Sequence, residues 1–526
     1  MRTRTRKTHT IKEIKIINNI KMKKNTVRSL VFRLCMAAVP LLAMAHAARA
    51  QQLDPLPVPA VSTDTLMKHI VELSSDIYQG RLSGTRGHER AMAYVERVLD
   101  GYGMKVEEQQ FPIECNEIEN CKFNIYTPGS KERRYFTLGN EFCCAGMTGR
   151  GYVDAQMVFV GYGVDNSIFD EYKGVDVQGK IAVVLTGTPD WLPGSVAENY
   201  TQLRDKARTA ERHGAIGLLA INVSPSCLSY EPQCRIYCGE LPHMATFPIL
   251  QLTMDCGREL LSTEAADLDA AMQAIASQRT CSFALLKKAE VDVNAIYRSR
   301  ARTANVLARL EGSDRTLRRE VIVVGASLDG PGLQGETTLF PGADINASGV
   351  AAVLEVARIL SQSGYSPKRS VLFVLFSGGE QQWLGSREFL AQYSKLNNVE
   401  AFLNVQNIGG GDSLVVLGDN HYPTLWEICH SHDTAVFRHY MAVNAEKTNP
   451  RGDARAFDNH RIPSLVVTTL NGLQHNHVSS DIWENIDRSI LTKASQLLLE
   501  TAAELADGRY QGRSPKSKGN RYYHNY

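Results

Sequence analysis

The sequence lacks a hydrophobic run long enough to cross a membrane. Its clearest apolar run, residues 34–45, has 12 residues, whereas a spanning helix needs about 20. The run follows a basic segment and precedes Ala48-Arg49-Ala50, a pattern typical of a secretory signal peptide that is cleaved after Ala50. We therefore expect an exported protein, periplasmic or extracellular and without a membrane span, in which residues 1–50 form the signal region.

The body of the chain also lacks an excess of positive charge. Residues 51–526 carry 46 Lys and Arg against 55 Asp and Glu, a net charge of −9, because 12 of the basic residues lie in residues 1–50. Contacts with phosphates need clustered Lys and Arg, so we expect no nucleic-acid partner. The composition, 43% hydrophobic and 22% charged, excludes a disordered or fibrous protein.

Cysteine is unevenly distributed. Ten cysteines follow residue 50, and nine of them fall between residues 115 and 281. An even number in an exported protein permits disulfides, but spacing leaves their pairing open. The end of the chain, residues 508–526, has five Lys and Arg and no acidic residue, so we expect a basic, flexible tail.

The rest of the chain shows two different hydrophobic patterns. Residues 62–101 show two helical stripes of apolar residues, broken near Gly80. From residue 303 onward, continuous apolar runs alternate with amphipathic ones, which predicts an α/β fold with a mixed sheet covered by helices on both faces. We predict strands at 320–326, 370–376, 401–405, 413–418 and 464–470, and helices at 347–361, 382–394, 422–432 and 487–506.

The segment between residues 101 and 303 holds most of the cysteines and several short strand-like runs, but no group of residues in a pattern typical of a catalytic site. We interpret residues 145–290 as a separate inserted domain. Residues 51–125 then form the N-terminal part of the main domain, and residues 300–507 form its core.

Metal-type side chains follow the predicted strands. Ser327-Leu328-Asp329 comes after the first strand, residues 341–349 lead into a helix, residues 377–380 follow the second strand, and residues 475–481 follow the last one. In open α/β sheets the active site lies outside the carboxyl ends of the strands. We therefore expect these four loops to meet.

The loops resemble a known family in their order and spacing. The chain contains GASLD, GADINASG, GGEQQWLGS, NVQN and NHVSSDI in that order, and GRLSGT begins at Gly80. These segments are similar to the motifs of the co-catalytic zinc aminopeptidases of metallopeptidase family twenty-eight. The resemblance implies a zinc-exopeptidase fold, and it identifies the insertion as a β-rich protease-associated domain.

The resemblance implies one metal site that is complete and one that is not. Asp344 matches the aspartate that bridges two zinc ions in the family, and Glu380 and His477 match the other ligands of the second ion. At the ligand positions that belong to the first ion alone, this chain has Ser327 and Gln406. Both are neutral and bind zinc poorly, so we expect a single zinc ion.

The catalytic base is missing from its family position. The resemblance places a base glutamate at residue 379, which is Gly379 here, and it gives Asp329 the role of orienting the absent histidine. Loss of a positioned base typically slows a reaction by 10²–10⁴-fold. We therefore expect weak or no hydrolysis, in a protein that still binds a peptide or protein N-terminus.

Two alternatives remain open. One is an active metallo-aminopeptidase that uses one zinc ion and a substitute base such as His475. The other is a single-zinc transferase like the glutaminyl cyclases, which are similar in fold but keep the base glutamate and lack the inserted domain.

Overall fold

The structure is a computed structural model that describes residues 58–223, 242–262, 264–418, 421–432, 451–472 and 477–510. The predicted signal region, His475 and most of the predicted tail lie outside these ranges. Within them, no helix combines the length and the apolar character that crossing a membrane requires.

The helices α1–α11 of the described residues are, in chain order, Thr63–Leu73, Arg86–Gly101, Gly194–Ala197, Leu203–Arg212, Met254–Leu261, Leu268–Ala276, Gly349–Gln362, Leu384–Gln392, Pro423–Ser431, Asp453–Asn459 and Arg488–Ala506. The strands β1–β15 are Lys105–Tyr126, Arg133–Tyr135, Phe142–Cys144, Gly151–Val160, Ile181–Leu185, Gly217–Ile221, Ile249–Leu252, Ser282–Leu310, Val321–Ser327, Gly332–Gln334, Thr338–Phe340, Ser370–Phe376, Val399–Val405, Ser413–Leu417 and Ser464–Leu470.

All these strands belong to one mixed sheet, whose main path is β14-β15-β13-β9-β12-β8-β4-β5-β6-β7-β3. Two parallel groups, β15-β13-β9-β12 and β4-β5-β6-β7, lie on either side of β8. The long antiparallel pair of β1 and β8 links the two groups, running from Lys105 opposite Arg309 to Tyr126 opposite Lys288.

The first parallel group carries the core of the main domain. Every residue of β9, β12 and β13 is buried, as expected for parallel strands that are covered on both faces. On one face, Phe402 stacks on Phe457 of α10 with ring centroids 4.0 Å apart. Helix α7 packs on β9, and α11 packs on α7. The predicted fold class is therefore confirmed, and helices flank the strand ends that form the site.

The inserted segment builds a core of its own. Its strands β5, β6 and β7 are parallel, helices α3 and α4 connect β5 to β6, and apolar clusters lie among residues from β4 to β7 and α4 to α6. The segment is therefore α/β as well as rich in strands. The predicted limits at residues 145 and 290 and its identity as a protease-associated domain stay predictions.

The predicted strands and helices from residue 320 onward are all present, with ends shifted by a few residues at most. Two features were not predicted: the long pair of β1 and β8, and helix α10 at Asp453–Asn459. Strand β1 is half exposed and charged, so it lacks the continuous apolar pattern of a buried strand. Its partner β8 begins more than 150 residues later.

Candidate active site

A polar pocket of about 310 Å³ opens where three parallel strands end. Ser327 ends β9, Gly379 and Glu380 follow β12, Gln406 follows β13, and His477 comes from the loop after β15. The remaining lining residues are Gln202, Ile345, Asn346, Gln382, Trp383 and Asn407. The structure therefore brings together most of the residues that the motifs identified.

Glu380 and His477 meet in this pocket although 97 positions separate them in the sequence. Nε2 of His477 lies 3.1 Å from Oε1 and 3.0 Å from Oε2 of Glu380. Each residue is only 8% exposed. A carboxylate and an imidazole are two of the ligand types that zinc prefers.

Asp344 has separate partners. One of its carboxylate oxygens accepts the N–H of Gly409 at 2.6 Å and the hydroxyl of Ser348 at 2.9 Å. Burial raises the pKa of Asp344 to about 6, against the lowering effect of the Gly409 N–H. Asp344 is not among the residues that line the pocket. In the described part of the chain, no three His, Cys, Asp or Glu side chains are placed to hold a metal ion.

The loop that carries Asp344 is fixed by a second aspartate. The carboxylate of Asp481 accepts the backbone N–H groups of Asp344 at 2.7 Å and Ile345 at 3.1 Å. Burial and the neighbouring Asp344 carboxylate raise the pKa of Asp481 to about 7. The motif segment NHVSSDI therefore contributes a residue that holds the loop, besides the candidate ligand His477.

Asp329 holds the turn that carries Glu380. Its carboxylate accepts the N–H of Gly379 at 3.0 Å and that of Glu380 at 3.3 Å. Burial, followed by the nearby Glu380 carboxylate, raises the pKa of Asp329 to about 8. The family role for this residue is to orient a histidine. In this chain, Asp329 instead positions the backbone of the turn that carries Glu380, the candidate ligand of the second metal ion.

Ser327, at a ligand position of the first ion, lies beside Gly379, at the position of the base. The hydroxyl of Ser327 donates to Oδ2 of Asp453 at 2.7 Å. A Cβ atom added to Gly379 would lie 2.5 Å from Oγ and 2.9 Å from Cβ of Ser327. Position 379 therefore has no room for a side chain unless Ser327 moves.

Gln406 lines the pocket from the end of β13, and its backbone N–H donates to Val467 of β15 at 3.1 Å. Its side chain packs against Gly452, where an added Cβ would lie 2.7 Å from Oε1. The backbone that leads into α10 therefore lies against one side of the amide. A carboxylate, the family residue, would bring an additional negative charge to this place.

Arg81 is a structural residue of the site that the motif comparison quoted without assigning a role. It is fully buried, and its guanidinium donates to the backbone carbonyls of Leu328 at 3.1 Å, Pro341 at 2.8 Å and Gly342 at 2.7 Å. It also donates to Leu73. One side chain therefore ties the loop after β9 to the loop that contains Asp344.

The residues present fit zinc unequally. At the first position, a neutral hydroxyl and a neutral amide replace the ligands, and such groups do not fit the ion. At the second, the ligand types of Asp344, Glu380 and His477 fit a catalytic zinc, which takes three protein ligands. The described geometry unites only Glu380 and His477, so the assignment of Asp344 as the third ligand remains a prediction.

Comparison with known sequences agrees with the motifs. Residues 305–502 match the sequence profile described as "Peptidase family M28". The "Probable leucine aminopeptidase" of Trichophyton verrucosum is 28% identical over 199 residues, which cover 36% of this chain and 54% of that protein. The chain thus spans about half the length of this curated relative. Transferrin receptor protein 1 of Gallus gallus is 31% identical over 117 residues, 22% of this chain and 14% of that protein.

Solved structures show the same fold. A zinc aminopeptidase from Bacillus subtilis covers 86% of this chain and 97% of its own, with a TM-score of 0.61 at 17% identity. An aminopeptidase from an Aneurinibacillus strain covers 85% and 94%, with a TM-score of 0.58 at 19% identity. The resemblance inferred from the motifs is therefore confirmed: residues 305–502 match Peptidase family M28, and the chain shares the fold of these aminopeptidases.

Proposed function

We propose that this chain is an exported, aminopeptidase-like protein that binds the N-terminal end of a peptide or protein and hydrolyses it slowly or not at all. One observation carries the proposal. Position 379, which the family resemblance gives to the base glutamate, is a glycine packed against Ser327, so the site has neither the carboxylate nor space for it.

The expected loss of rate follows from the missing groups. Without a positioned base, water is a poor nucleophile, at a typical rate cost of 10²–10⁴-fold. Because Ser327 and Gln406 are poor zinc ligands, the first metal ion is not held, and the charge of the attacking and leaving oxygens is not shared between two ions. Together these losses reduce hydrolysis far below the usual turnover of about 1–10³ per second.

One zinc ion is part of the proposal, supported by the match to Peptidase family M28 and by the fold shared with the zinc aminopeptidase from Bacillus subtilis. Glu380 and His477 would hold it, with Asp344 as the third ligand. A bound zinc supplies a Lewis acid that polarises a carbonyl oxygen. Asp329 keeps Glu380 in place through the backbone of the turn.

The polar lining supports recognition of a peptide end. A free N-terminus is a cation with several N–H donors, and it needs acceptors when it leaves water. Gln406 and Asn407 line the same pocket and offer amide oxygens, while the Glu380 carboxylate is assigned to the zinc ion. The volume of about 310 Å³ suits one or two residues of a peptide rather than a folded surface.

The test is an activity and binding assay on purified, zinc-loaded protein. Release of amino acids from a panel of aminoacyl p-nitroanilides is measured with and without a chelator, beside a Glu380→Ala/His477→Ala variant. We expect release that is slow or equal to that of the variant, while calorimetry detects binding of short peptides with a free N-terminus but not of acetylated ones. Rapid, chelator-sensitive release by the wild-type chain alone would overturn the proposal.

The second candidate is an active metallo-aminopeptidase, which is favoured by the contact of Glu380 with His477 in an open pocket and by relatives named leucine aminopeptidase. The same assay separates it from the first, because single Glu380→Ala and His477→Ala variants would then each abolish a measurable activity. Export is tested separately by sequencing the N-terminus of the protein from the producing cells, with Gln51 expected as the first residue.

A further inference from the structure

Two buried thiols meet far from the pocket. Cys121 lies in β1 and Cys144 in β3, and they are 6% and 0% exposed. Both belong to the apolar cluster that forms the core of the inserted segment. The thiol groups of the two residues lie within hydrogen-bonding reach of each other. The contact links β1 to β3, a short strand that pairs with β7 at the end of the main path of the sheet.

Neighbouring cysteines are placed differently. Cys143 comes directly before Cys144 in β3, so its side chain points to the opposite face of the strand. There it packs with Phe340. Cys115 lies 3.6 Å from the guanidinium of Arg298. Cys256 lies in the same apolar cluster, but the charged groups near its thiol are Glu141, Glu259 and Arg134. Among the described cysteines, the geometry therefore favours Cys144 as the partner of Cys121.

The backbone of Cys144 is held in place. The side-chain amide of Gln334 donates to the carbonyl of Cys144 at 3.0 Å, and its oxygen accepts the N–H of Cys144 at 3.0 Å. Gln334 is 3% exposed and ends β10, which pairs with β11. Because β11 ends at Phe340, immediately before the loop of Asp344, the thiol pair is connected to the frame of the pocket.

We infer that Cys121 and Cys144 form a disulfide when the chain folds in an oxidising compartment. A thiolate of one cysteine attacks the disulfide of an oxidant, either a disulfide-bearing oxidoreductase or oxidised glutathione, and releases one thiol. The second cysteine then attacks the mixed disulfide and releases the other. The two cysteines lose two electrons and two protons, and the oxidant becomes two thiols. The inference is independent of the function proposed for the pocket.

The folded core disfavours late oxidation. Burial and the neighbouring Cys121 thiol raise the pKa of Cys144, whereas the attacking species is the thiolate. The bond therefore forms while the chain is still open to solvent. Once formed, it closes the loop from 121 to 144, which restricts the unfolded chain.

The bond is tested by mapping it in the full chain. The protein is refolded from denaturant with reduced and oxidised glutathione, and free thiols are blocked with iodoacetamide. It is then digested with trypsin and a Glu-specific protease and analysed without reduction. Cleavage after Glu119 and Lys122 isolates Cys121, and cleavage after Glu141 and Arg150 isolates Cys143 with Cys144. We expect residues 120–122 linked to residues 142–150, with Cys143 alkylated.

Variants separate the pair from its neighbour. Cys143→Ala should keep the link, and Cys144→Ala should leave Cys121 alkylated. Reduction should lower the melting temperature of the wild type and of Cys143→Ala by at least about 4 °C. It should not cause this decrease in Cys144→Ala, because that variant cannot form the bond. Complete alkylation of Cys121 after oxidative refolding of the wild type, or its linkage to a different cysteine, would overturn the inference.

Discussion

The hydroxyl of Ser327 occupies the space that a side chain at position 379 would need. A Cβ on Gly379 would lie 2.5 Å from Ser327 Oγ, and the same hydroxyl donates to Asp453 at 2.7 Å. The two departures from the family motifs are therefore structurally coupled. Restoring the base glutamate alone creates a clash in addition to supplying a carboxylate.

This coupling predicts the stability of variants at both positions. We expect Gly379→Ala to lower the free energy of unfolding by about 1–3 kcal/mol, as for overpacked sites. In a Ser327→Gly background the same change should cost clearly less, because the two closest atoms are absent and only Oδ1 of Asp329, at 3.0 Å, remains near the added Cβ. Urea unfolding of the four proteins of this cycle measures the difference. An equal cost of Gly379→Ala in both backgrounds would contradict the coupling.

Arg81 should be essential for stability. Its buried guanidinium binds four backbone carbonyls, among them those of Leu328 and Gly342 on two pocket loops. Lysine keeps the charge but cannot reach all four acceptors, so we expect Arg81→Lys to cost about 3 kcal/mol or more. Arg90, which donates to one carbonyl at the surface, provides the control, and Arg90→Ala should cost less than about 1 kcal/mol. Similar losses for the two variants would argue against a special role of Arg81.

Stability should fall with rising pH through a group in the inserted segment. Glu171 is fully buried and accepts the N–H of Val164 at 3.0 Å. Burial raises the pKa of its carboxyl to about 7. Since the folded state holds the proton more tightly than the unfolded one, this stabilisation is complete below about pH 4.5 and is lost as the pH rises through 7.

The variant Glu171→Gln isolates this effect, because it keeps the acceptor oxygen and removes the titration. Between pH 5 and 8.5 we expect the free energy of unfolding of the wild type to decline by roughly 1–3 kcal/mol more than that of the variant. Urea titrations at several pH values measure the two slopes. Parallel slopes would show that Glu171 does not titrate in this range.

Metal binding should distinguish the two predicted zinc positions. His477→Ala removes one member of the pair with Glu380, and loss of a ligand lowers the affinity for zinc strongly. Gln406→Ala changes only a neutral amide at the first position and should leave the affinity unchanged. Competition with a zinc-binding dye gives both constants, and mass spectrometry of the native protein gives the number of ions. We expect at most one ion per chain, so two ions in the wild type would contradict the assignment.

Much of the main domain could be predicted because its signals are local. The runs that became β9 and β12 are almost entirely apolar, and every residue in them is buried. The runs that became α7 and α11 are rich in Ala, Leu and other apolar residues over lengths typical of helices. The pairing of β1 with β8 could not be predicted in this way. Both strands alternate between exposed and buried positions, and their partners lie far apart in the sequence.

The candidate site was predicted in its parts but not in its contacts. Motif order identified Glu380, His477 and Asp329, yet it gave no indication that Asp329 binds the backbone of the Glu380 turn. It also did not assign the structural role of Arg81. Such contacts depend on how loops from different strands approach each other, which residue spacing does not describe.

The sequence by itself determined the residue types at each motif position, the resemblance of residues 305–502 to Peptidase family M28, the order of the main-domain strands along the chain and the absence of a base at position 379. Only the tertiary structure decided that Ser327 fills the space beside Gly379, that Glu380 meets His477 while Asp344 binds Ser348 and Gly409, and that Cys121 meets Cys144. The reason is physical. Residue identity follows from the chain alone, whereas these distances are set by the packing of segments that lie tens to hundreds of residues apart.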